Sequence, residues 1–188
     1  MIQPNFRGSA GYGDAWFVKN GFRSWRTAVA DAGKWLVCQG IANPAKLTVL
    51  GWSYGGYAAL QAAVIEPELF KAVVAIAPVT DLGSLVENSR DLSDYYLLND
   101  YVGAPPHIVE GSPARNVANI KAPILMFQGT RDADVPQRQA RLMDAKLKAA
   151  GKRSELVIFD GLDHRLIDSD ARRTLLQRSG DFLLAAGK

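Results

Sequence analysis

The segment Gly51-Trp52-Ser53-Tyr54-Gly55 places a serine between two glycines, a pattern that is typical of a reactive hydroxyl. In such a pattern the serine lies on a tight turn between a strand and a helix, and bulky residues do not fit two positions to either side. A β-rich apolar run, residues 46–50, precedes Ser53, and a helix of small residues follows it. The segment therefore predicts that Ser53 is a nucleophile that attacks acyl bonds.

The same turn predicts where negative charge would be stabilised during such a reaction. Tyr54 would be the first residue of the helix, where backbone N–H groups and the helix dipole favour an anion. We therefore expect the Tyr54 N–H to be one donor of an oxyanion hole. A glycine-rich turn that packs tightly for structural reasons alone is the competing interpretation.

A serine hydroxyl needs a base to accept its proton, and histidine is suited to this at neutral pH. The chain contains two histidines, His107 and His164. When the nucleophile follows a strand in this way, the acid and then the histidine come later in the chain, each after a further strand. His164 follows the apolar run 154–159, whereas no strand precedes His107. We therefore interpret His164 as the base and His107 as a solvated loop residue.

The carboxylate that orients the base should follow the strand between the serine and the histidine. Asp132 and Asp134 both follow the apolar run 123–127. Such a carboxylate accepts a hydrogen bond from the imidazole and stabilises its positive form. Spacing alone does not choose between the two. Asp160 and Asp163 are too close along the chain to the base to reach around it, and we expect them in turns.

Short apolar runs alternate with helical patterns along the chain, and this predicts the elements that position these side chains. Four runs are apolar on both faces, as in the strands of a buried parallel sheet: residues 46–50, 71–77, 123–127 and 154–159. Besides the small-residue helix, the helical patterns cover residues 25–39, with an apolar stripe through Val29, Trp35 and Leu36, and residues 136–150 and 168–186. The alternation predicts an α/β fold.

The stretch 81–119 interrupts this alternation and is expected to be an irregular insertion over the sheet edge. It contains the pair Pro105-Pro106, which favours a break, and Tyr95, Tyr96 and Tyr101. The tyrosines are candidates for an aromatic substrate pocket. Structural packing is the alternative role for this tyrosine cluster.

Composition limits the classes of function. The 188 residues carry a net charge of +3, with basic residues scattered rather than clustered, which disfavours nucleic-acid binding. No apolar run approaches the roughly 20 residues that span a bilayer, so we expect no membrane partner. The single Cys38 excludes an intrachain disulfide and slightly favours a reducing compartment such as the cytoplasm. No cluster has the spacing of metal ligands, so neither a metal nor a cofactor is expected.

Taken together, four motifs resemble the catalytic domain of the prolyl oligopeptidase family, which includes acylaminoacyl peptidases and dipeptidyl peptidases. They are Asn5-Phe6-Arg7-Gly8-Ser9-Ala10-Gly11-Tyr12-Gly13, Gly51-Trp52-Ser53-Tyr54-Gly55-Gly56-Tyr57, Gly129-x-x-Asp132-x-x-Val135-Pro136 and Asp163-His164. The resemblance implies an α/β-hydrolase fold, with a mostly parallel sheet flanked by helices. It also implies a serine peptidase that cleaves short peptides through an acyl-enzyme, with Ser53 as nucleophile, His164 as base and Asp132, rather than Asp134, as acid.

The chain departs from the family pattern at two points. Asp134 occupies a position where such enzymes often hold arginine or asparagine, which helps to bind a substrate carbonyl. An ionised carboxylate donates no hydrogen bond, so the substrate-binding role of Asp134 is an open expectation. In addition, the family domain begins with further strands that help to complete the sheet and the oxyanion hole. We therefore expect residues 1–188 to form one α/β-hydrolase domain that lacks its N-terminal strands, beginning at a strand that leads into Asn5, and to self-associate or pair with the missing part.

Two other functions are compatible with the sequence. A carboxylesterase would use the same three residues on small esters. A catalytically impaired fragment or assembly module would keep the motifs without the activity. The residues do not distinguish exopeptidase from endopeptidase action.

Overall fold

The computed structural model contains a sheet of four parallel strands surrounded by helices. It describes residues 1–5, 9, 11–13, 27–90, 93, 95–102 and 105–186. In chain order the elements are α1 (Ala28–Cys38), β1 (Val49–Trp52), α2 (Tyr54–Ile65), β2 (Val73–Ile76), α3 (Leu82–Asn88), α4 (Tyr95–Val102), α5 (Pro105–Glu110), two 3₁₀ turns (Pro113–Arg115 and Val117–Asn119), β3 (Ile124–Gly129), α6 (Arg138–Ala149), β4 (Ser154–Phe159) and α7 (Ser169–Ala186).

The strands follow one another across the sheet in the order β1-β2-β3-β4, and every pair is parallel. All four carboxyl ends therefore lie along one edge, which is where ligands bind in open α/β sheets. The predicted parallel α/β architecture is confirmed. The predicted β1 began and ended too early, because Gly51 and Trp52 still pair with β2.

Two apolar layers explain why the strands are hydrophobic on both faces. Alternate residues of a strand point to opposite sides of the sheet. One buried layer joins β2 and β3 to α2 and α6 and includes Leu60, Val73, Ala75, Ile124, Met126, Met143 and Leu147. The other joins the same strands to α7 and includes Val74, Ile76, Leu125, Phe127 and Leu175. The sheet is thereby a rigid support for the loops at its carboxyl edge.

The predicted helices are present, and their ends shift by at most two residues where the structure describes them; residues 25 and 26, at the predicted start of the first helix, lie outside the described residues. In α1 the buried residues are Ala30 and Gly33, whereas Trp35, which we predicted on its apolar stripe, is 56% exposed. Small residues face the neighbouring elements there because a Cβ on Gly33 would already lie 3.2 Å from the Leu47 and Leu69 side chains. Within the described residues, no helix combines the length and apolarity needed to cross a membrane.

The prediction of an irregular insertion at 81–119 is wrong, because this stretch contains α3, α4, α5 and both 3₁₀ turns. Asp81 caps α3 by accepting a hydrogen bond from Ser84 N at 2.8 Å. Pro105 and Pro106, which suggested a break, instead open α5, since proline lacks only an N–H that the first helical turn leaves unpaired.

The first five residues form no strand, contrary to the expected strand that leads into Asn5. Ile2 is 54% exposed, and a strand forms only where a neighbour accepts its backbone hydrogen bonds. Among the described residues, β1 likewise pairs with β2 alone. Phe6, Arg7, Gly8 and Ala10 of the first motif lie outside the described residues.

Candidate active site

Ser53 lies in the turn between β1 and α2, with φ 56° and ψ −118°. This region of backbone conformation is sparsely populated by residues other than glycine and costs about 1–3 kcal/mol. Two hydrogen bonds hold it: Ser53 N donates to Ile76 O at 2.7 Å, and Tyr57 N donates to Ser53 O at 3.0 Å. The turn is therefore fixed by β2 on one side and by the first turn of α2 on the other.

The glycines around Ser53 play different steric roles. A Cβ added at Gly51 would lie 2.0 Å from Gly55 O, so no side chain fits there without moving the backbone. A Cβ at Gly55 would meet no described atom within 4 Å. Crowding thus requires glycine before the serine, but no described atom crowds position 55, contrary to the expectation that bulk is excluded on both sides.

Asp132 and His164 are in direct contact. His164 Nδ1 lies 2.8 Å from Asp132 Oδ2, and the Asp132 side chain is fully buried while that of His164 is 17% exposed. Asp132 Oδ1 also accepts from Val135 N at 2.7 Å. A buried carboxylate needs such donors to compensate for the loss of water. These hydrogen bonds fix the orientation of the carboxylate toward the imidazole.

Gln128 is a further member of this group that sequence reasoning missed. Its Nε2 donates to Asp132 Oδ2 at 2.8 Å and to Val135 O at 3.1 Å. Gln128 is fully buried near the end of β3, between Phe127 and Gly129. A polar residue in an otherwise apolar strand was the available signal, because buried polar groups usually have a specific partner.

The loop that carries Asp132 and the loop that carries His164 are joined through their backbones. We call residues 130–136 the acid loop and residues 160–168 the base loop. Thr130 N donates to Phe159 O at 3.0 Å, and Arg131 N donates to Leu162 O at 2.9 Å. A Cβ on Gly129 would lie 2.3 Å from Leu162 O and 2.8 Å from Asp163 O. The absence of a side chain at Gly129 therefore lets the two loops approach each other.

The base loop also contacts the residue that precedes the serine. Trp52 Nε1 donates to the backbone oxygen of His164 at 3.2 Å. In the part of the chain that is described, no hydrogen bond joins Ser53 Oγ to the His164 ring. Catalytic hydrogen bonds are often long before substrate binds. The structure thus brings Asp132 and His164 into contact and places the strand of Ser53 against the same loop.

The tyrosines proposed for a substrate pocket lie on α4. The Tyr95 and Tyr96 rings pack edge to face with centroids 5.4 Å apart, and Tyr96 is 82% exposed. Among the described residues, neither makes a hydrogen bond or ring contact with Ser53 or His164. The Tyr101 side chain lies outside the described part of the structure. A role of these tyrosines in substrate binding stays a prediction.

Asp134 lies close to the Asp132–His164 pair. One ligand-type atom from each of the three residues lies within 4.8 Å of the others, a cluster that the 32-residue separation of Asp132 and His164 hid in the sequence. Both Asp132 oxygens already accept hydrogen bonds. A metal on Asp132 Oδ2 would have to displace Gln128 or His164, so the geometry favours a hydrogen-bonded pair with an exposed carboxylate beside it.

His107 is not the solvated loop residue that the sequence suggested. It lies on α5 and is 9% exposed. The helix begins only two residues earlier, and the double proline at its start concealed the helical pattern. His107 is thus part of the packing around α3 and α5, at a distance along the chain from the acid and base loops.

Comparison with known proteins identifies the family of this chain. The model of the prolyl oligopeptidase family matches residues 1–188. The dipeptidyl aminopeptidase BIII of Pseudoxanthomonas mexicana is 28% identical over 176 residues, which cover 87% of this chain and 25% of the relative. The acylamino-acid-releasing enzyme of Arabidopsis thaliana is 29% identical over 177 residues, which cover 86% of this chain and 23% of the relative. The chain thus spans about a quarter of the length of these curated relatives.

A solved structure of similar sequence has the same fold. The chain superposes on a puromycin-hydrolyzing peptidase of Mycobacterium tuberculosis with a TM-score of 0.87 and 28% sequence identity, over 95% of this chain and 28% of that one. The parallel sheet, the strained serine turn and the flanking helices are those of an α/β-hydrolase. The family match over the whole sequence, taken with this fold, shows that the chain belongs to the prolyl oligopeptidase family.

Proposed function

We propose that this chain carries the catalytic residues of a serine peptidase, with Ser53 as nucleophile, His164 as base and Asp132 as the orienting acid. The observation that carries the proposal is the 2.8 Å contact between His164 Nδ1 and buried Asp132 Oδ2. The strained turn at Ser53 lies at the same edge of the sheet. The family membership and the peptidase names of its relatives support the choice of peptides as substrates.

The hydrogen bond to Asp132 determines the tautomer of the base. An ionised carboxylate only accepts hydrogen bonds, so Nδ1 of neutral His164 must carry the ring proton. Nε2 is then unprotonated and can accept the proton of the Ser53 hydroxyl. Asp132 stabilises the imidazolium that results and does not itself take the proton.

The reaction follows from these positions. Ser53 Oγ transfers its proton to His164 Nε2 and attacks the substrate carbonyl carbon, and the resulting oxyanion lies near the Tyr54 N–H at the start of α2. The C–N bond then breaks, and His164 returns the proton to the leaving amine. Water, activated by the same base, hydrolyses the acyl-enzyme and restores Ser53. Removal of one oxyanion donor typically costs about 10²–10³-fold in turnover.

A fluorophosphonate probe tests the nucleophile directly. The 188-residue chain should become covalently labelled at Ser53, as located by mass spectrometry of its peptides. Ser53→Ala should abolish labelling, and His164→Gln should reduce it strongly. Ser179→Ala is the matched control, because Ser179 is a buried serine on α7. Absence of label on wild-type Ser53, or equal labelling of Ser53→Ala, would contradict the proposal.

The substrate class is tested with a pair of substrates that share one acyl group. A peptidase should release the amine of an aminoacyl anilide as well as hydrolyse the corresponding ester. Turnover of the ester alone would assign the same residues to a carboxylesterase. Labelling without turnover of either substrate would identify a reactive serine in a chain that is not a peptidase.

A further inference from the structure

The indole of Trp52 joins the strand of the nucleophile to the backbone of the base. Trp52 is the last residue of β1 and immediately precedes Ser53, and its Nε1 donates to His164 O at 3.2 Å. The partly buried ring packs against the apolar layer beneath α7. An indole has only two side-chain torsions and a single N–H donor. Packing of the ring therefore fixes the position of the Nε1 donor.

The base loop is anchored on its other side by the core and by α7. Leu166, two residues after His164, is fully buried although its φ of 48° is unusual for a leucine. Arg172 donates to the backbone oxygens of Leu166 and Arg165, at 3.2 Å in each case. These contacts hold the loop after His164.

The acid and Trp52 constrain different parts of His164. Asp132 fixes the direction of the ring through Nδ1, but a hydrogen bond to one ring atom leaves the backbone free to shift with the loop. Trp52 holds the His164 carbonyl from the residue that adjoins the nucleophile. Together the two bonds determine the distance from Nε2 to Ser53 Oγ, and misplacement by about 1 Å is enough to slow a reaction on the order of 10²-fold.

We propose that Trp52 is a positioning residue for the base: its indole N–H sets the separation between His164 and Ser53. This inference rests on the proposed function of those two residues. In this role Trp52 acts through the His164 backbone and not on the substrate or the reacting atoms. Its contribution is to keep His164 within reach of the Ser53 hydroxyl proton, since the turn of Ser53 follows β1 and the base loop follows β4.

The test is Trp52→Phe, which removes the N–H donor and keeps a smaller aromatic ring in the apolar layer. Trp35→Phe is the matched control, because Trp35 is an exposed tryptophan on α1. The rate of fluorophosphonate labelling at Ser53 should fall on the order of 10- to 100-fold in Trp52→Phe and stay unchanged in Trp35→Phe. With an anilide substrate, the loss should appear in kcat with KM unchanged.

A role in packing alone would have a different result. It would lower the thermal unfolding midpoint of Trp52→Phe while the folded variant reacted at the wild-type rate, and that outcome would overturn the inference. If the probe does not label Ser53 in the wild-type chain, the proposed function is contradicted. The inference is still tested in that case by proton NMR of the His164 Nδ1–H, assigned by its loss in His164→Gln.

The NMR measurement reports the geometry without turnover. In wild type and Trp35→Phe the Nδ1 proton held on Asp132 should exchange slowly with solvent, and in Trp52→Phe it should exchange faster and broaden. A wild-type chain without this signal, or a Trp52→Phe signal identical to that of wild type, would refute a positioning role.

Discussion

Gly129→Ala tests whether the approach of the acid and base loops depends on a missing side chain. The added Cβ would lie 2.3 Å from Leu162 O, whereas ordinary contact begins at 3.4 Å. The base loop would therefore have to retreat by about 1 Å, the difference between these distances. All three clashing atoms belong to backbone: besides Leu162 O, they are Asp163 O at 2.8 Å and Leu162 C at 2.9 Å. A change of rotamer therefore cannot relieve the contact.

This movement of the base loop would also displace His164, because His164 follows Asp163 directly. A displacement of about 1 Å at the base should lower the rate of Ser53 labelling on the order of 10²-fold. Overpacking of this kind should also reduce the free energy of unfolding by about 1–3 kcal/mol. Labelling kinetics with a fluorophosphonate, measured beside thermal unfolding of the same samples, separates the two effects.

Gly180→Ala is the matched control for this experiment. Gly180 lies on α7, and an added Cβ would meet no described atom within 4 Å. Alanine there should leave labelling unchanged and stabilise the helix by about 0.5–1 kcal/mol. If Gly129→Ala labels at the wild-type rate while folded, the base loop is not held against Gly129 and the argument from close approach is wrong.

Three further results are expected. Gly51→Ala should destabilise the fold by about 1–3 kcal/mol in urea unfolding, because its Cβ would lie 2.0 Å from the oxygen of Gly55. Gly55→Ala, at an uncrowded position on α2, should not destabilise the fold. Ser53→Gly should be about 1 kcal/mol more stable than Ser53→Ala by the same measurement, because glycine relieves the backbone strain at φ 56°, and equal stability would argue against that strain. Burial disfavours ionisation of Asp81, but hydrogen bonds from Arg115 and the Ser84 backbone, with the Arg115 charge, outweigh it and hold the pKa of Asp81 below its usual value. This contribution is present above the ordinary carboxyl pKa near 4 and lost as pH falls through the lower folded value. Arg115→Met should therefore lower the unfolding free energy by about 1–2 kcal/mol at neutral pH, and a difference from wild type that does not shrink in acid would refute this assignment.

The nucleophile turn was predictable because all of its determinants are local. A strand, a serine between glycines and a helix follow one another within about twenty residues, and each leaves a pattern in the sequence. The parallel sheet was predictable for a similar reason, since strands that are apolar on both faces are typical of buried parallel sheets. The assignment of residues 1–188 to one domain stays a prediction.

The contacts that hold His164 in place were not predictable, because they connect distant parts of the chain. The Trp52–His164 contact spans 112 residues, and no local pattern marks an indole that binds a backbone oxygen. The choice between Asp132 and Asp134 also depended on resemblance, since both follow β3 at similar spacing. Proline chemistry explains the errors at 81–119 and His107, where a double proline began a helix that we interpreted as a loop.

The order of the strands has a consequence for biosynthesis. The strands β1, β2, β3 and β4 lie side by side in the order in which the chain is made. The turn of Ser53 follows β1 and therefore leaves the ribosome long before His164, which follows β4. Synthesis at roughly 5–20 residues per second needs on the order of 5–20 s to cover the 112 residues between Trp52 and His164. During that interval the nascent chain would hold a serine without its base. On the proposed roles of Ser53 and His164, we expect ribosome-bound chains that end before β4 to resist fluorophosphonate labelling.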